Sequence, residues 1–414
     1  MPDGMARLAF NMEQNYNTGY TRINGYRPVV TAGLPGGGPV RGVFIYNNVI
    51  YVFQDDALVS PTKCGLWQVI PDVYRIGSEA DGDAQEDWGL NIIDTAGSFT
   101  EIVAMKDIGD ADTTLLPGGF YEFTMHNFKA SARGGTGAYL GVWDSSTKYI
   151  VGQQVTYPDG GALYIAIQDN KNKQPDTQAS HWVVKDDSIN VNYGSHNITG
   201  HSGNIYGTDG KNPAFEFDGT TLKQIDSSYT PNVPHHIEAN GNRLALGFRE
   251  GEVAMSAIGD PFNFDPVFGA GSVGTTDWLT AMMAGPDGVM YIFCKDKTYL
   301  YKGMGGPLEE SELVKHNKNV GAYPYTAKML AGHGLFYDTW GLTELAITEK
   351  YGDVTTESIS ANIQQALLGI QPNVADIHTD KAQYRVWFKD TDSAIGTVDN
   401  TNMSICLIVT LIQG

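Results

Sequence analysis

Few of the side chains that could do chemistry stand together in this sequence. His235, His236 and Glu238 are the nearest approach to a metal-ligand set. Along a strand, however, they would alternate between faces, and no third ligand lies near them. His196 and His201 flank a Gly/Asn-rich loop that supplies no nucleophile. Asp55-Asp56, Asp186-Asp187 and Glu309-Glu310 are paired carboxylates set in turns, which reads as solvated surface. Glycoside hydrolysis would need two carboxylates facing each other across a cleft, and adjacency in sequence does not supply that. Gly36-Gly37-Gly38 and Gly134-Gly135-Thr136-Gly137 open no predicted helix and carry no phosphate-binding lysine, so they read as flexible loops. Cys64, Cys294 and Cys406 are odd in number and far apart, and no Cys/His spacing suits zinc. They read as reduced, buried apolar residues, as expected after assembly in a reducing cytoplasm. The expectation is a protein that is not an enzyme and holds no metal or cofactor.

Aromatic residues are better organised. Between 139 and 187 the order is Trp143, Tyr149, Val151, Val155, Tyr157, a Pro158-Asp159-Gly160-Gly161 turn, Tyr164, Ala166 and Trp182. A unit this small cannot bury a large core, so aromatic packing must hold it together. Trp143, Tyr149 and Trp182 are the expected core. The spacing resembles the small carbohydrate-binding modules first met in chitinases, over about 45 residues. That resemblance implies sugar binding by aromatics that stack on pyranose rings, and it assigns the contacts here to Trp143, Tyr157, Tyr164 and Trp182. In the family the stacking residues follow the Tyr-x-Ala strand. Here residues 167–172 (IQDNKN) contain no aromatic, which leaves a docking module as the alternative to a glycan-binding one.

The elements that position these residues are strands. The chain has 49 glycines and 22 tyrosines, and only 18% of its residues are charged, a mix that suits many short strands joined by tight turns. Four segments share one plan of turn, apolar strand and polar turn: 243–248 (RLALGF), 289–294 (VMYIFC), 335–340 (LFYDTW) and 384–388 (YRVWF). Their starts lie 46, 46 and 49 residues apart, and a four-stranded propeller blade repeats at about 40–50 residues. Upstream, 42–53 reads as a hairpin around Asn47-Asn48, and 204–217 with the Asp218-Gly219 turn reads as a further blade. Residues 100–105 and 120–128 are expected to share a blade that the aromatic module interrupts. The predicted fold is therefore all-β: a propeller of about six to seven blades with a small inserted β-module. The expected division is 1–138, 139–187 and 188–414. One short amphipathic helix is predicted over 357–368, with Ile359, Ile363, Leu367 and Leu368 on one side. The apolar run 405–412 is read as a strand that closes a sheet or as a subunit contact. No run is long enough to span a bilayer, and residues 1–10 show no secretory pattern.

Three segments are similar to the tail nozzle or hub proteins of short-tailed bacteriophages. Residues 19–26 match Gly-x-x-Arg-Ile-x-Gly-Tyr, residues 241–266 match an Asn-Arg-Leu … Ser-x-x-Gly-Asp-Pro-x-x-Phe blade, and 285–302 match the blade after it. In the second segment Asp260-Pro261 should force a turn, with Phe262 and Phe264 plugging the blade edge. The resemblance implies a structural virion protein of the tail, assembled in the host cytoplasm as a homohexameric ring. It would adjoin a portal-adaptor ring and a tailspike or tail fibre, retain packaged DNA, and let it exit at infection. The net charge of −20 fits a wall past which double-stranded DNA slides without being gripped or recognised. Arg22, Arg27 and Arg41 form the densest arginine cluster. Two competing expectations are a lectin-like propeller that recognises host surface glycan and a polysaccharide-degrading propeller enzyme.

Overall fold

Turns rich in glycine and asparagine cut the apolar runs into short antiparallel strands. A computed structural model describes residues 34–47, 49–70, 98–102, 112–128, 139–149, 153–167, 170–184, 203–219, 221–317, 319–345, 371–388 and 405–410, with short pieces at 12–15, 19–22, 73–75, 91–94 and 105–106. The fold is all-β, and its helical elements include three-residue 3-10 turns such as Pro266–Phe268 and Leu308–Glu310. The helix expected over 357–368 lies outside the described residues. No helix among them is long and apolar enough to cross a membrane.

Six sheets follow one another along the chain, built around antiparallel meanders, with one parallel pairing in the second, between Leu222–Gln224 and Met105–Lys106. The first comprises Gly37–Tyr46, Val49–Asp56, Lys63–Ile70 and Ser98–Ile102. The second runs Glu122–His126, Asn204–Thr208, Phe215–Phe217 and Leu222–Gln224, extended by Met105–Lys106 and Asp112–Thr113. The third is His236–Asn240, Arg243–Gly247, Glu252–Met255 and Gly271–Gly274, and the fourth Leu279–Ala284, Met290–Cys294, Thr298–Lys302 and Glu312–Asn317. The fifth holds Lys328–Leu330, His333–Asp338 and Gly341–Glu344, and the sixth Pro372–His378, Gln383–Phe388 and Ile405–Thr410. The four repeated segments of the sequence are thus the second strands of the third to sixth sheets. Their period is the length of one meander. The last apolar run is an edge strand, in register with Gln383–Phe388.

The chain divides into two compact units. One holds the first three sheets and the aromatic module, and the other holds the last three sheets and the hairpin of Met12–Asn15 with Gly19–Arg22. Within the first unit, Phe44, Phe53 and Leu66 of the first sheet pack on Phe215, Phe217 and Leu222 of the second. The opposite face of the second sheet, through Tyr206, packs with Ile237, Leu244 and Leu246 of the third. The second sheet is thus covered on both faces, by the first sheet through Ile205, Phe215, Phe217 and Leu222 and by the third through Tyr206. This excludes a single two-layer sandwich for this unit. The second unit repeats the arrangement: Phe293 meets Phe336, and Leu335 and Tyr337 meet Tyr384 and Val386.

Turn chemistry sets the register. Asn240 pairs with Arg243 across a two-residue turn in which Gly241 and Asn242 both have positive φ, 57° and 60°. That is the geometry whose twist suits a hairpin. The hairpin expected around residue 47 is present, with Tyr46 opposite Val49 and Asn47 at φ 53°.

Two expectations need correction here. Residues 100–105 and 120–128 do not share one blade. Ser98–Ile102 is the outer strand of the first sheet, whereas Met105–Lys106 and Glu122–His126 belong to the second. Gly36-Gly37-Gly38 is no free loop either. A Cβ on Gly38 would sit 2.2 Å from the Asp55 carbonyl oxygen, so only glycine lets this backbone approach.

Candidate functional site

Residues 139–184 form two small sheets whose strands pair only with each other among the described residues. One is Tyr139–Val142, Gln154–Tyr157, Ala162–Ala166 and Trp182–Val184; the other is Lys148–Tyr149 with Asn170–Lys171. They have their own core of Tyr149, Val155, Ala166 and Trp182. The module lies in the connection between Glu122–His126 and Asn204–Thr208, adjacent antiparallel strands of the second sheet. Of the expected module bounds, 139 and 187, the second falls outside the described residues.

The aromatic residues separate into two groups. Trp182 is 2% exposed, meets Tyr149 edge-to-face at 5.1 Å, and donates its indole N–H to the Lys173 carbonyl at 2.6 Å. It has no face to offer a sugar, which corrects its place in the glycan-contact set. Trp143, Tyr157 and Tyr164 are half-buried. Tyr164 lies opposite Val155, and Tyr157 is two residues further along the same strand, so both share the face of Val155 and Trp182. Trp143 stands edge-on to Tyr157 at 5.5 Å. Pro158 to Gly161 make the expected turn, with the Gly161 N–H on the Pro158 carbonyl at 2.7 Å. Replacing Trp182 with Ala should cost about 3–5 kcal/mol, more than a unit of this size can spare. Hydrogen exchange should then rise through 139–184 and stay unchanged in the six large sheets. Exchange spreading into the second sheet would show that the module is a joint in the fold.

Elsewhere the groups that suggested chemistry are absorbed by structure. Asp55 and Asp56 are buried, not solvated. Asp55 takes the Arg41 guanidinium at 2.8 and 2.6 Å and the Gly118 N–H at 3.2 Å, and Asp56 caps the Leu58 N–H at 3.0 Å. Arg41 is thereby held in an ion pair, whereas Arg27 lies outside the described residues. His236 Nδ1 meets Glu122 Oε2 at 2.9 Å, while Glu238 accepts from the Thr124 hydroxyl at 3.1 Å. Burial pushes the His235 imidazole below its ordinary pKa, and His236 and Arg249 add to the effect. Among the described residues no three His, Cys, Asp or Glu side chains converge on a metal site. Residues 134–137, Asp186, Asp187, His196 and His201 lie outside the described set. Glu310 is exposed. Cys64 and Cys294 are buried, Cys406 is half-buried, and none forms a disulfide. Burial pushes their thiols up, to about 12, 11 and 11 respectively.

The best-built constellation was not legible as such in the sequence. Arg243 is 1% exposed and donates to four backbone carbonyls: Met304 at 2.9 Å, Ser256 at 2.6 Å, Gly269 at 2.7 Å and Gly306 at 3.0 Å. Gly259 N–H reaches the Asn242 carbonyl at 2.7 Å, and Leu244 and Ser256 exchange bonds at 3.0 and 2.8 Å. Asp260 Oδ1 accepts the Phe262 N–H at 3.2 Å, and Phe262 and Phe264 join the core between the second and third sheets. In the sequence its residues showed only as part of the 241–266 resemblance segment and as an arginine inside an otherwise apolar strand.

No family model and no curated protein matches the chain. Solved structures give distant likenesses. Catalytically inactive virginiamycin B lyase from Staphylococcus aureus is 11% identical, with 84% of this chain and 90% of that one covered and a TM-score of 0.33. Sqt1 from Saccharomyces cerevisiae is 9% identical, with 72% and 68% covered and a TM-score of 0.28. The extracellular domain of a one-component system from B. thetaiotaomicron is 13% identical over 45% of this chain, at a TM-score of 0.30. This chain spans about a quarter of that structure, 24%. Scores this low carry no argument about function.

Proposed function

We propose that this chain is a structural ring subunit, a tail nozzle or hub protein of a short-tailed bacteriophage, whose six sheets act as propeller blades. The observation that carries the reading is the interlock of the two ends of the 241–266 resemblance segment. Asn242, Arg243 and Leu244 bond directly to Ser256 and Gly259, so the shared residues build a scaffold rather than line a cleft. The burial of Asp55 and Asp56 and the ion pair of Arg41 support the same reading, because they leave these groups no role towards substrate or phosphate. In this reading the copies form a homohexamer between a portal-adaptor ring and a tailspike or tail fibre. Double-stranded DNA is retained there and later passes an acidic wall with few ion pairs to break.

Native mass spectrometry of the full chain tests this. The expected result is one ring-sized oligomer that persists when residues 139–184 are deleted, with weak DNA binding even at low salt. A monomer at all concentrations would overturn it. DNA binding that is tight and falls steeply with salt would replace the passive wall by a gripping one. The second reading, a lectin-like protein that binds host surface glycan, is favoured by the shared face of Trp143, Tyr157 and Tyr164. Binding to a glycan array that is lost in the Tyr157→Ala and Tyr164→Ala variants would support it.

A further inference from the structure

The face of the second sheet that meets the third carries a line of polar groups in register. Tyr206 lies opposite Glu216, and Glu216 lies opposite Lys223. The Glu216 side chain is only 4% exposed. Its Oε2 accepts the Tyr206 hydroxyl at 2.6 Å, while its Oε1 is buried with no hydrogen-bond partner. Lys223 Nζ stands 3.9 Å from that orphaned oxygen and 3.7 Å from Asp218 Oδ2. The other oxygen of Asp218, Oδ1, accepts the Thr221 N–H at 2.8 Å. A partly buried amine, a carboxyl group held by a backbone donor and a second, buried carboxylate with an unsatisfied oxygen therefore meet in one place.

We propose that Lys223 and Asp218 are joined by an intramolecular amide bond, formed with Glu216 as the proton carrier. Proton transfer within the ion pair gives a neutral amine and a carboxylic acid. The Nζ lone pair adds to Cγ of Asp218, and the Thr221 N–H steadies the negative charge that develops on Oδ1. Glu216 Oε1 takes a proton from Nζ and delivers it to Oδ2. That oxygen leaves with two hydrogens as water, and Glu216 ends as it began. One N–C bond forms, one C–O bond breaks, and no oxidant or reductant is needed. The product replaces a partly desolvated ion pair with a neutral amide. The N–H of that amide then supplies the donor that Oε1 lacks. The bond would tie the strand Leu222–Gln224 covalently to the turn before it.

The test is an intact mass of the purified full chain together with a tryptic map. The expected mass is lower than the sequence mass by one water, with no tryptic cut after Lys223 and with 218 and 223 in one cross-linked peptide. Glu216→Gln, nearly isosteric, should show the full mass and normal cleavage after Lys223. Lys223→Arg should also show its full mass. The Asp218-Gly219 step can lose water in another way, by closing a succinimide. Water loss that survives in Lys223→Arg, or that leaves the cut after Lys223 intact, identifies that product and overturns the proposal. Full mass in the wild-type chain overturns it as well, leaving a plain ion pair.

Discussion

Replacing Arg243 with Met should destabilise the third sheet by about 3–5 kcal/mol. The guanidinium is fully buried and ties Ser256, Gly269 and the 304–306 segment to one strand. Met fills much of the same volume but supplies no donor, so four carbonyls lose a partner, those of Met304 and Ser256 in fully buried bonds. Arg243→Lys keeps the charge, but a single ammonium cannot span carbonyls that a planar fork of five N–H groups reaches at once. It should therefore rescue only a minor part of the loss. Thermal unfolding gives the size of the effect, and hydrogen exchange gives its place: amides of 243–256 and 269–274 should open first. A melting temperature for Arg243→Met within a degree or two of wild type would show that the clasp contributes little.

The second large effect depends on pH and belongs to Asp338 in the fifth sheet. Burial pushes its carboxyl up to about 6, against the opposing pull of the Trp340 N–H at 2.6 Å and the Thr343 hydroxyl at 3.2 Å. A folded-state pKa above the unfolded one means that the folded chain keeps a proton the unfolded chain has released. Between about pH 4 and pH 6 stability should therefore fall as pH rises, by roughly 2 kcal/mol in all, and stay low above that window. Asn resembles the protonated acid and does not titrate. Relative to wild type, Asp338→Asn should gain stability by about that amount between pH 4 and pH 7. Taking the difference between the two proteins at each pH cancels the other titrating groups. A constant difference across the range would show that Asp338 titrates normally.

These two residues mark what one-dimensional reading cannot reach. Asp338 lies in a polar turn after an apolar strand, where a carboxylate is ordinarily solvated, and only the packing of the hairpin Asp338–Gly341 buries it. Arg243 meets partners up to 63 residues away, a separation that no local pattern records. The same cause explains Asp55, whose partners Arg41 and Gly118 arrive from a neighbouring strand and from the segment before Glu122–His126.

Local chemistry, by contrast, was legible. Apolar runs of five or six residues between turn residues determined the strands. Asn47 and the Asn240–Asn242 turn determined hairpins, because few residues accept positive φ. The spacing near 46 residues determined that one meander repeats, since each meander must return the chain to an equivalent second strand. The aromatic order in 139–184 likewise determined a unit with its own core. Tertiary structure alone decided which side of each aromatic meets water. Tyr157 and Trp182 look equivalent as letters, yet one is half-buried and the other is sealed by Tyr149 and the Lys173 carbonyl. The reason is that strand period assigns a face, whereas exposure on that face depends on which distant segment covers it.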